Sequence, residues 1–104
     1  MAQSVAPLVR LARSAGLPVR LTEINSVTCG GLAGVSDTFA TALWAPDALF
    51  ELAQAGVQAV NLHARVYTYN EPFTFDSHGL LARPLLYGLI LFVRTLGPGA
   101  RLLQ

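Results

Sequence analysis

Glu23 and His63 are the two residues whose type and position point most directly to chemistry, since each stands at the end of a short, apolar, β-favouring run. A carboxylate or an imidazole at a strand end can serve as nucleophile or as general acid/base. The simpler reading of each is a solvated carboxylate and a hydrogen-bonded histidine. For Glu23, alternation in Leu17 to Ile24 sets the carboxylate in line with Val19 and Leu21, opposite Arg20, Thr22 and Ile24, so it is expected to point into whatever cavity the strand ends form.

Between these residues lies Cys29-Gly30-Gly31-Leu32-Ala33-Gly34, after a strand and before a helix. A dinucleotide-binding turn would need Gly where Cys29 stands and an acidic strand end about 20 residues later, which is absent. The glycines are better read as permitting positive φ in a tight loop that lets a ligand approach the backbone. Cys29 as a thiol nucleophile would need a neighbouring base that the sequence does not place. Tyr67, Tyr69, Phe73 and Phe75 suit either a sugar-stacking platform or cross-strand packing in a hairpin. Asp76 and His78 read as decoration of the same loop. One Cys and two His are too few for a structural zinc site.

The elements that must position these groups follow from periodicity. Val5, Leu8, Val9 and Ala12 predict a helix over residues 5–15, ended by Gly16 and Pro18. Leu17 to Ile24 is a strand. Ser36 is the expected N-cap of a second helix running to Gly56, with Pro46 expected to kink it near Ala42 or divide it into two abutting helices. Val57 to His63 is the second strand. Residues 64–79 read as a long loop, with a short hairpin suggested by Val66 and Thr68 against Tyr67 and Tyr69. Arg83-Pro84 opens a last helix, Gly97-Pro98-Gly99 closes it, and Ala100 to Gln104 is expected to begin another strand.

Helix, strand, helix, strand, helix implies an α/β class with parallel strands joined by crossover helices. Two parallel strands cannot close a core, because such sheets need cover on both faces and neighbours at both edges. The expected architecture is a fragment of a (β/α)8 TIM barrel: two βα units plus a leading helix.

Composition supports one incomplete unit. The chain has 104 residues, room for one domain, and is 53% hydrophobic but only 12% charged. All seven basic residues are scattered arginines against six acidic residues, which argues against nucleic acid or an acidic membrane surface as partner. The apolar run Pro84 to Val93 is about half the ~20 residues needed to span a bilayer, so no transmembrane segment is expected. Met-Ala-Gln-Ser at the start lacks a signal-peptide pattern, which leaves localisation open.

Several motifs together carry a family resemblance: Thr22-Glu23-Ile24-Asn25-Ser26, Cys29-Gly30-Gly31, Gly34-Val35-Ser36-Asp37-Thr38-Phe39, Ala42-Leu43-Trp44-Ala45, Gly56-Val57, Asn61-Leu62-His63 and Pro84-Leu85-Leu86-Tyr87-Gly88. Over about residues 17–96 the chain resembles the last part of the catalytic barrel of glycoside hydrolase family 79, the β-glucuronidase and heparanase group. The resemblance implies a partial barrel over residues 1–99, its two βα units lying around strands 7 and 8 with Val57 to His63 as the eighth strand, and the start of a β-sandwich domain at 100–104. It implies retaining hydrolysis of a β-linked uronic acid glycoside without metal or organic cofactor, and Glu23 as nucleophile on the seventh strand. Asn25, Gly30, His63 and either Tyr67 or Tyr69 are then expected around the substrate, with the Gly30 loop and the tyrosine near its carboxylate.

The family's acid/base Glu lies on the fourth strand, and none of Asp47, Glu51, Glu71 and Asp76 matches its motif. The chain alone is therefore expected to be inactive, its partners being a carbohydrate in the complete enzyme and the remaining barrel, or itself. The alternative expectation is a non-catalytic α/β module that associates through its exposed strand edges.

Overall fold

The computed structural model describes residues 1–102 and is mixed α/β. Its order is α1 (Ala2–Ser14), β1 (Arg20–Ile24), α2 (Phe39–Ala55), β2 (Ala59–Leu62), β3 (Phe73–Asp76), β4 (Gly79–Ala82) and α3 (Pro84–Thr95). β1 and β2 form one parallel pair, as the helical crossover requires, and β3 and β4 a separate antiparallel hairpin. Among the described residues there is no closed barrel.

The core lies where α1 and α2 cover one face of the parallel pair. Val9, Ile24, Leu52 and Val57 are buried together, and Val5, Val19, Leu21, Trp44, Val60 and Leu62 pack against them. α2 ends at Gly56 in the left-handed region, where the Val57 N–H returns to the Leu52 carbonyl at 3.0 Å. A Cβ on Gly56 would stand 3.0 Å from the Val9 side chain, so the turn also sets how closely α1 approaches.

Three details correct the sequence expectations. Of the two forms expected of α2, a kinked helix or two abutting ones, the second is excluded, since α2 is one continuous helix. Pro46 removes the N–H that would bind the Ala42 carbonyl, and that carbonyl faces Gly88 of α3, where any Cβ would collide with it. Glycine on one helix thus lets the two backbones meet at the proline site of the other. Phe50 and Phe92 continue this contact edge to face, with ring centroids 4.8 Å apart.

Second, the cap of α2 is Thr38 rather than Ser36. Ser36 is buried and its oxygen accepts from the Leu32 N–H and the Ser26 hydroxyl, so it braces the preceding loop. Third, the hairpin falls at residues 73–82 rather than at Val66 to Tyr69, which form turns. Its reversal uses the Asp76 carboxylate accepting from the His78 N–H at 2.7 Å, whereas in the tyrosine segment the Tyr67 N–H is taken by Glu71. Ala100 to Leu102 have no regular structure, and the rest of the strand expected there lies outside the described residues.

The outline is a slab of 51 × 30 × 19 Å with a Cα radius of gyration of 15.1 Å, above the ~13 Å of a compact chain this long. Many large apolar residues remain exposed, among them Leu8 and Leu11 of α1, Phe75 and Leu80 of the hairpin, and Leu91 and Val93 of α3. No helix among the described residues is long and apolar enough to cross a membrane.

Candidate functional site

The site grows from an irregularity in the parallel pair. Leu21 faces Val60 and Ile24 faces Leu62, so β1 uses three steps where β2 uses two. The extra residue breaks strict alternation: Ile24 turns into the core beside Val19 and Leu21, and Glu23 is left exposed. The sequence had put Ile24 on the opposite face. Such register shifts re-aim side chains at strand ends.

Beyond the shift the two strand ends are tied closely. The His63 N–H donates to the Ile24 carbonyl at 2.9 Å, and the Asn25 amide donates to the His63 carbonyl at 2.6 Å. His63 Nδ1 then lies 2.5 Å from Glu23 Oε1, with 58% of the histidine side chain and 65% of the glutamate side chain exposed. So solvated a polar contact adds little to stability; its interest is geometric.

The following loops are sewn to the same point. Asn25 also donates to the Asn70 carbonyl at 3.1 Å and accepts from the Ser26 N–H at 2.8 Å. The Tyr69 N–H donates to the Gly30 carbonyl at 2.8 Å, and the Asn70 amide to the Val27 carbonyl at 3.0 Å. Gly31, with φ of +88°, is the tightest place: an added Cβ would stand 2.9 Å from the Asn70 nitrogen and from the Ser36 side chain. At Gly30 it would meet only a Thr68 methyl, at 3.2 Å.

These ties enclose a cavity of about 490 Å³ at the carboxyl ends of β1 and β2, lined by Glu23, Asn25, Cys29, Gly30, His63 and Arg65 and by neighbouring loop residues. Glu23, Asn25, Gly30 and His63, the site residues expected from sequence, therefore meet in one place. Tyr67 and Tyr69 do not line it; Tyr67 is 81% exposed with φ of +66°. Asn25 is at the wall, but its amide nitrogen and oxygen are both engaged within the protein.

Cys29 is exposed on the wall, with no hydrogen-bonded base among the described residues. The described residues hold no group of three or more His, Cys, Asp or Glu arranged for a metal ion. Glu23 is the one carboxylate in the lining. Asp76 serves the hairpin turn, and buried Glu71 accepts from the Tyr67 N–H at 2.8 Å while its other oxygen lies 3.6 Å from Arg83 Nε.

Sequence reasoning missed Thr68 and Asn70 as wall residues and Glu71 as the brace that holds Tyr67 in its left-handed turn. The only signal was Asn70-Glu71-Pro72, a turn-forming tripeptide whose partners lie far along the chain. No protein-family model matches the sequence, and no curated protein matches it.

Proposed function

We propose that the chain is the C-terminal part of a (β/α)8 barrel of a retaining glycoside hydrolase acting on β-linked uronic acid glycosides, similar to family 79, with Glu23 as nucleophile. The observation that carries the reading is the meeting of Glu23 and His63 at the carboxyl ends of two adjacent parallel strands, above a cavity walled by the glycine loop. In parallel α/β barrels that is where catalytic groups reside.

In the proposed reaction a Glu23 oxygen attacks the anomeric carbon as the glycosidic bond breaks, and the leaving oxygen takes a proton from a second carboxylic acid. Water then adds to that carbon, giving its proton to the same carboxylate, and the bond to Glu23 breaks. The second carboxyl should lie about 5 to 5.5 Å from Glu23. Among the described residues no other carboxylate lines the cavity, so in this reading another barrel segment supplies it. No cofactor enters the scheme.

The test is a uronic-acid-configured cyclophellitol-type probe applied to the chain in extracts of its own cells, so that any companion segment is available to it, followed by peptide mass spectrometry. Attachment at Glu23, lost in Glu23→Gln, is expected; attachment elsewhere, or none, overturns the assignment. A second reading, a non-catalytic α/β interaction module, is favoured by the slab shape and the apolar residues exposed on α1, α3 and the hairpin. It predicts stable self-association or partner binding without any label at Glu23.

A further inference from the structure

His63 makes contacts with three consecutive residues of β1 and its end: its N–H reaches Ile24, its carbonyl receives Asn25, and its imidazole Nδ1 meets Glu23 Oε1. Backbone bonds on both sides fix the position from which the imidazole reaches Glu23. Building on the glycosidase reading, we propose that His63 is a positioning residue for the nucleophile rather than a ligand of the sugar. Its Nδ1–H occupies Oε1 and leaves Oε2 to attack.

The same bond acts in both halves of the reaction. When Oε2 bonds the anomeric carbon, Oε1 becomes the carbonyl oxygen of the glycosyl ester and keeps the Nδ1–H donor. When water enters and the Oε2–carbon bond breaks, the electron pair returns to the Glu23 carboxylate, and a donor at Oε1 stabilises that growing charge. Loss of the donor therefore slows release of the intermediate. A hydrogen bond to a charged group supports roughly a tenfold effect or more on that step.

Two measurements test this. The first needs no catalysis: at about pH 8.5, ¹⁵N shifts of His63 should report the Nδ1–H tautomer in the wild-type chain. In Glu23→Ala the commoner Nε2–H form should take over. Nε2–H in the wild type, unchanged by Glu23→Ala, overturns the pairing.

The second uses the chain with whatever companion polypeptides co-purify from its own cells. A 2-deoxy-2-fluoro-uronosyl fluoride should trap the ester on Glu23, and intact mass should follow its decay in the presence of water. The adduct on His63→Leu is expected to last about tenfold longer. His63→Asn, whose amide nitrogen can occupy the place of Nδ1, should return the lifetime to within about threefold of wild type, which a purely structural role would not produce. Equal lifetimes in wild type and His63→Leu overturn the positioning role while leaving the glycosidase reading intact. A wild-type assembly that takes up no adduct overturns the glycosidase reading and the catalytic use of the pair, and the tautomer then decides the pairing alone.

Discussion

Two cavities of nearly equal size border the parallel pair. The one at the strand ends, about 490 Å³, is walled by Glu23, His63, Asn25 and hydrogen-bonded loop backbone. The other, about 480 Å³, lies among Leu49 and Phe50 of α2, Val60 and Leu62 of β2, and Leu89 and Phe92 of α3. Volume alone does not distinguish them. In the first, hydrogen bonds from Asn25, Asn70 and Tyr69 tie the loops of the wall together; in the second, the walls are largely apolar side chains. A site that must aim a carboxylate needs the former, whereas the latter marks a surface where further burial is favourable.

The contrast can be broken most sharply at Glu23. Glu23→Gln should abolish covalent labelling by the uronic probe, a loss on the order of a thousandfold or more, with an unchanged thermal melt because the side chain is largely exposed. A variant that still labels removes the polar cavity from catalysis.

Gly31→Val should cost about 3 kcal/mol in urea unfolding, because positive φ and crowding act together where a Cβ meets Asn70 and Ser36. Gly30→Val has only the Thr68 methyl to displace and should cost about half as much, its larger effect falling on ligand binding. Equal losses at the two glycines would show that the loop tolerates crowding equally at both. Asn25→Ala should remove about 1 to 2 kcal/mol, since one side chain joins Ser26, His63 and Asn70.

The smallest effect belongs to the apolar side. Leu91→Lys with Val93→Lys, both exposed on α3, should weaken self-association severalfold in sedimentation velocity and shift stability by no more than about 0.5 kcal/mol. Association that is unaffected would place the contact surface elsewhere, on α1 or the hairpin.

Much of this arrangement was legible in the residues. Gly56 marked the end of α2, and Val57 to His63 read as the strand that follows. Helical crossover implied parallel pairing. Local rules fail where a residue's partner is distant: Ser36 looks like a cap until the Leu32 N–H and Ser26 claim its oxygen. The Tyr67 to Tyr69 alternation looks like a strand until buried Glu71 folds it into a turn.

By itself the sequence determined the type and order of α1, β1, α2, β2 and α3 and the presence of a carboxylate and a histidine at strand ends, because propensity, periodicity and glycine or proline stops act within a few residues. Only the tertiary structure decided that β1 takes an extra residue against β2, which sends Ile24 into the core and leaves Glu23 facing His63. That choice depends on cross-strand hydrogen bonds and on which apolar side chain fills the space under α1 and α2, quantities that exist only once residues some 40 positions apart have met.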